Sequence, residues 1–122
     1  MRTYRIENQT HPLTSPLLVA RCETFFSQLR GLMFRRELDP QSGLLFVEGN
    51  NSRINSSIHM FFMNFDIAVI WADTNKKVVD VQLARRWPPF YFPAQPAAYI
   101  LELHTSRLND FSIGDQLAFK ND

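Results

Sequence analysis

A chain of 122 residues has the length of one domain, 1–122, and its 45% hydrophobic and 20% charged residues exclude a disordered or collagen-like polymer. Thirteen Lys and Arg against twelve Asp and Glu leave a net charge of +1, which supplies no global field for nucleic acid or an anionic membrane. Eleven Phe against four Gly point to a core built from a few large aromatic side chains.

In chain order, Arg2 to Glu7 alternates weakly and reads as an edge strand. These polar first residues lack the apolar run of a signal peptide. Pro16 to Cys22 reads as a strand that begins at a proline. Cys22 is the single cysteine, so no internal disulfide forms and no oxidising compartment is required. Its apolar setting, LLVARC, marks a buried small hydrophobe rather than a reactive thiol. The expected location is the cytoplasm.

Glu23 to Arg30 predicts a two-turn helix. Phe25, Phe26 and Leu29 fall at helical spacing, Glu23 and Arg30 suit the helix dipole, and Gly31 is positioned as a left-handed cap. After a turn at Asp39 to Gly43, the segment Gly43 to Glu48 predicts a strand, closed by a turn over Gly49 to Ser52. Ser57 to Met63 and Ile67 to Asp73 predict extended segments. The stretch Ile58 to Ala72 is the longest apolar one, and His59, Asn64 and Asp66 interrupt it well short of a membrane span. Asp73 to Lys76 predicts a hairpin onto Lys77 to Leu83. Arg85 to Pro96 holds four of the seven prolines and predicts a loop with no ladder hydrogen bonds. Ala98 to Leu103 predicts a strand, Ser106 to Phe111 one helical turn, and Gln116 to Phe119 a last strand. The sum is a mainly β domain: an antiparallel sandwich or small barrel of about eight short strands, with one short helix near 23–30.

Three stretches together, LRGLMFR at Leu29 to Arg35, GLLF at Gly43 to Phe46 and SIHMFFMNFDIAVIWAD at Ser57 to Asp73, resemble the bacterial family called domain of unknown function 192. YILEL at Tyr99 to Leu103 and IGD at Ile113 to Asp115 extend the resemblance over most of the chain, from about Ala20 to Phe119. It implies a mainly β, sandwich-like fold with a short helix before RGLMFR. It implies no established activity, cofactor or partner. Where the family pattern has M-R-F-P-I-D-V, this chain has Met63-Asn64-Phe65-Asp66-Ile67-Ala68-Val69, so the basic position is Asn64, the proline position Asp66 and the acidic position Ala68.

Three groups of residues are candidate sites. Arg30 and Arg35 flank an apolar LMF, where their guanidinium forks suit either an anion clamp or ion pairs with Glu102, Asp73 or Asp115. His59, Asp66, Glu102 and His104 form a possible polar site. Strand alternation over Ser57 to Met63 puts His59, Phe61 and Met63 on one face, and Glu102 shares a face with Ile100 and His104. A histidine beside a carboxylate suits acid–base work, and His59, Glu102 and His104 together would suit a metal. No two histidines stand at a metal-site spacing, however, and no metal or cofactor is expected. Nor is there a catalytic motif such as a phosphate-binding glycine loop or a nucleophile elbow.

The third candidate is Arg85-Arg86-Trp87-Pro88-Pro89-Phe90-Tyr91-Phe92-Pro93, two arginines beside four aromatics on a proline-stiffened loop. Such a loop either stacks a ligand or folds its aromatics inward as a lid over one end of the sandwich. The expected function is therefore a non-enzymatic binding module for a small ligand or peptide, using Arg30, Arg35, Arg85, Arg86, Trp87, Phe90 and Tyr91. The alternatives are a metal-dependent or acid–base enzyme using His59, Glu102 and His104, and a structural homo-oligomerisation domain.

Overall fold

The computed structural model describes residues 2–22, 37–61 and 63–122. The expected helix at 23–30, the Gly31 cap and both Arg30 and Arg35 lie outside the described residues. The ordered strands are β1 (Thr3–Asn8), β2 (Leu18–Cys22), β3 (Ser42–Ser52), β4 (Ile58–His59), β5 (Ile67–Ala72), β6 (Val78–Ala84), β7 (Phe90–Tyr91), β8 (Ala97–Leu103) and β9 (Leu117–Asn121). A 3-10 helix, Thr105–Asp110, stands between β8 and β9. Seven strands form one curled sheet in the order β6-β5-β8-β3-β2-β1-β9, and β4 pairs with β7 in a separate two-stranded ribbon.

The mainly β expectation holds, with three local differences. The β2–β3 pair is parallel, Val19 lying opposite Gly43 and Cys22 opposite Phe46, whereas the other paired strands are antiparallel. The strand that starts at Ser42 runs on to Ser52 through the predicted Gly49 to Ser52 turn, absorbing it as a register shift against β8. The proline segment carries ladder hydrogen bonds after all, because Phe90 and Tyr91 fall between its prolines and pair with His59 and Ile58.

Alternation along the strands sorts the apolar side chains into two cores. On one face Leu44, Phe46, Val69, Trp71 and Ile100 pack with Ile58, Met60 and Met63, which cover them from outside the main sheet. On the other, Val19, Leu45, Ile70, Leu101 and Leu103 pack with Ile6, Val78 and Leu117. Val78 and Leu117 come from opposite ends of the strand order, so this second core fills the inside of the curl. With both faces covered, all six residues of β5 are buried.

The curl closes at one end. The Val78 amide donates to the Asp115 carbonyl at 2.8 Å, Gly114 donates to Val78 at 2.8 Å, and Leu117 donates to Lys76 at 2.9 Å. Gly114 turns this corner with φ of +96°, a conformation that disfavours any Cβ. Gly43 serves a different need. A Cβ there would stand 2.5 Å from Leu103 Cδ2 and 2.8 Å from the Glu102 carbonyl oxygen, so β3 and β8 approach as closely as they do only over a bare Cα.

Candidate binding surface on the proline loop

The segment after β6 is fixed by polar groups that the core strand supplies. Asp80 is buried on β6. One of its carboxylate oxygens accepts from the Ala94 amide at 2.8 Å and from Gln82 Nε2 at 2.7 Å. Gln82 Nε2 also donates to the Phe92 carbonyl at 2.9 Å. The neck of the loop is tied by the Tyr91 hydroxyl, which accepts from the Arg85 amide at 2.9 Å and donates to the Arg85 carbonyl at 3.2 Å. From the β4 side, the Met60 amide donates to the Pro89 carbonyl at 2.7 Å and Arg53 Nε donates to the Pro93 carbonyl at 2.9 Å. Loop backbone that would otherwise be free is thus held at five points, which removes much of the ordering cost of any contact made there.

On this frame the aromatics divide by direction. Tyr91 turns inward and packs against the core that Ile58 and Met60 cover. Trp87 is 80% exposed, Phe90 53% and Phe92 47%. A lid would have folded these three inward; the structure turns them out. Phe61, which the sequence did not single out, joins them. It is 45% exposed, and its ring meets Phe90 edge-on at 5.2 Å. Arg85 and Arg86 are exposed at the start of the loop, and neither forms an ion pair with a described residue.

The polar candidates are spread differently from expectation. Ser57 to Met63 is not a continuous strand, since pairing stops after Ile58–His59, and the predicted division of faces fails there: Ile58, Met60 and Met63 are all buried in one cluster while Phe61 turns outward. His59 sits on the short ribbon with its ring 5.6 Å from that of Phe61. His104 caps the 3-10 helix, its Nδ1 accepting from the Ser106 amide at 3.0 Å. Asp66 and His104 do come together, lining a groove of about 510 Å³ with Glu37, Phe65 and Thr105. No three His, Cys, Asp or Glu among the described residues are placed to hold a metal, so His59, Glu102 and His104 do not assemble as a ligand set.

Glu102 stands where alternation puts it, on the face of Ile100 and opposite to Leu101 and Leu103. Its cross-strand neighbours are Leu44 on β3 and Val69 on β5, both apolar and buried. Burial pushes its carboxyl up to about 8, so Glu102 carries a proton at neutral pH.

Asp73 and Asp115, offered above as partners for Arg30 and Arg35, have other work. Asp73 Oδ1 accepts from the amides of Asn75 and Lys77 in the β5–β6 turn. Asp115 is 2% exposed and gathers Asn8 Nδ2 at 2.7 Å, His11 Nδ1 at 2.8 Å and the Ser112 amide at 2.9 Å. Burial alone would raise its carboxyl, but these hydrogen bonds outweigh burial and hold it below the usual range. No local pattern marks this network, because Asn8 and Asp115 are 107 positions apart.

The DUF192 family model, described as "Uncharacterized ACR", matches residues 6–119, and the chain belongs to that family. It is 44% identical over 84 residues to a UPF0127 protein of Thermococcus gammatolerans, covering 69% of this chain and 53% of that one. A UPF0127 protein of Pyrococcus furiosus is 39% identical over 97 residues, covering 78% and 80% respectively. The chain thus spans about half the length of the Thermococcus relative. These relatives are archaeal, which corrects the attribution of the family to bacteria. Two solved bacterial structures share the fold, each with a TM-score of 0.73. One, from Sinorhizobium meliloti and provisionally described as a transcription regulator, is 23% identical over 97% of this chain and 92% of its own. The other, a protein of unknown function from Novosphingobium aromaticivorans, is 18% identical over 95% and 83%.

Proposed function

We propose that this chain is a non-enzymatic binding module that takes its ligand, a small molecule or a peptide, on the surface formed by Arg85, Arg86, Trp87, Phe90 and Phe61. The observation that carries it is the outward exposure of Trp87, Phe90 and Phe61, the last two in edge-on contact, on segments tied down by Asp80, Gln82, Tyr91, Met60 and Arg53. A chain that had only to fold would gain more by burying those rings. Rigid aromatics beside arginines are the usual anchors of interfaces, because they offer large contact area for little lost entropy. A cytoplasmic setting fits the single, buried Cys22. No helix among the described residues is long and apolar enough to cross a membrane.

The test uses the two tryptophans. Trp71 is fully buried and Trp87 is 80% exposed, so a ligand on the loop changes the emission of Trp87 against a constant background. A panel of small metabolites and short peptides is titrated into the wild type, Trp87→Ala and Arg86→Ala, with native mass spectrometry to read the mass of anything bound. Ligands that bind the wild type and lose affinity for both variants support the proposal. Ligands that bind all three equally well refute it.

A further inference from the structure

We infer that the partner of this surface is an acidic, aromatic-containing polypeptide segment; the inference rests on the binding reading above and names the class of ligand. Outward rings suit an extended chain. Trp87, Phe90, Phe92 and Phe61 all stand out from the fold, and the rings of Phe61 and Phe90 meet edge-on at 5.2 Å. An extended chain can take contacts with raised rings one side chain at a time.

Charge selects among extended chains. Arg85 and Arg86 are exposed and form no ion pair with a described residue, and no Asp or Glu occurs anywhere from Arg85 to Pro96. The nearest carboxylate along the chain, Asp80, faces inward and is occupied by the Gln82 side chain and the Ala94 amide. Two guanidinium groups without an ion pair to a described residue, adjacent in the chain to the exposed Trp87, suit carboxylates flanking an aromatic residue. Single-stranded nucleic acid also uses arginine and aromatic stacking, but it draws most of its affinity from many phosphate contacts, and a chain of net charge +1 with two arginines here supplies few.

The experiment follows the fluorescence anisotropy of three labelled probes, a random glutamate–tyrosine copolymer, a lysine–tyrosine copolymer and oligouridylate, against the full chain. The wild type is expected to bind the glutamate–tyrosine copolymer best. The double variant Arg85→Glu/Arg86→Glu should bind it about tenfold more weakly and shift its preference to the lysine–tyrosine copolymer. Trp87→Ala should weaken binding of either. All three residues are exposed, so unchanged circular dichroism checks that the fold is kept. Failure to bind the glutamate–tyrosine copolymer, or charge-reversed protein that binds it as well as the wild type, overturns the inference. Tighter binding of oligouridylate than of the copolymer overturns it in favour of nucleic acid. If the copolymer fails while the small-ligand and peptide panel still gives hits sensitive to Trp87→Ala, only the acidic-polypeptide inference falls. If both fail, the binding reading falls with it.

Discussion

Glu102→Gln isolates the energetic effect of a carboxyl enclosed between Leu44 and Val69. Burial moves this group from an ordinary 4.5 in the open chain to about 8 in the fold. The folded state therefore holds its proton more tightly than the unfolded state, and the sign follows from linkage. The contribution is fully favourable below pH 4.5, falls as pH rises because the unfolded chain can ionise and the folded chain cannot, and levels off above about 8. Within that window each pH unit removes about 1.4 kcal/mol, or roughly 5 kcal/mol across it. Against a typical total of about 5–15 kcal/mol, such a loss would leave the domain marginal in mild alkali. Glutamine has nearly the same shape and nothing to ionise. Urea unfolding of the wild type and of Glu102→Gln at intervals between pH 5 and pH 9 should give curves that diverge, with the wild type losing several kcal/mol relative to the variant. The comparison uses slopes, because the buried amide carries a constant penalty of its own. Parallel curves would refute the argument, since they would mean that the carboxyl ionises as readily in the fold as in the open chain.

Gly43→Ala should destabilise by roughly 1–3 kcal/mol, because the added Cβ meets the backbone carbonyl of Glu102 as well as a flexible end of Leu103; the midpoint of urea unfolding reads it. Asp115→Ala leaves Asn8 Nδ2, the Ser112 amide and His11 without their shared acceptor and should cost roughly 2–4 kcal/mol. Because Asp115 is held below its ordinary 3.8, its stabilisation is present above that pH and is lost as pH falls further, so Asp115→Asn should flatten the acid limb of the wild-type stability curve. Tyr91→Phe removes the hydroxyl that ties Arg85 at the neck and should lower stability by about 1 kcal/mol. Phe90→Ala, whose ring is largely exposed, should stay within about 0.5 kcal/mol of the wild type in unfolding while weakening any ligand that shifts Trp87 emission.

Local pattern carried the strands that repeat it. Ile67 to Asp73 and Lys77 to Leu83 flank a turn whose Asp73 accepts amide hydrogen bonds, and they pair as that turn dictates. Ser57 to Met63 was misassigned because apolar residues fall on both of its faces, so alternation says nothing about which way Phe61 points. The parallel alignment of β2 with β3 was illegible for another reason: the direction in which two strands meet depends on the path between them, not on their own residues. Among the candidate residues, Glu102 could be placed because β8 alternates cleanly. His104 could not, since its role as a cap depends on the helix start that follows it. Asp115 reads in the sequence as the end of an IGD turn and as a partner for Arg30 or Arg35; its partners Asn8 and His11 come from β1 and the chain after it, which lie beside β9 in the sheet but about a hundred residues away along the chain.

The two departures from ordinary patterning, a carboxyl inside and aromatics outside, belong to one face of the sheet. Glu102 lies between Leu44 and Val69 in the layer that Ile58 and Met60 cover, and the segments that supply this cover also carry Phe61 and Phe90 outward. Ile58, Met60 and Tyr91 attach the ribbon; Phe61, Phe90 and Trp87 are left over after attachment. The anchoring residues explain why the ribbon holds its place, but they do not require the outward ones to be aromatic, because a polar side chain at Trp87 or Phe90 would leave every tie to Asp80, Gln82 and Arg53 intact. Folding therefore accounts for one half of this short segment. Contact with something outside the chain is the simplest physical account of the other half.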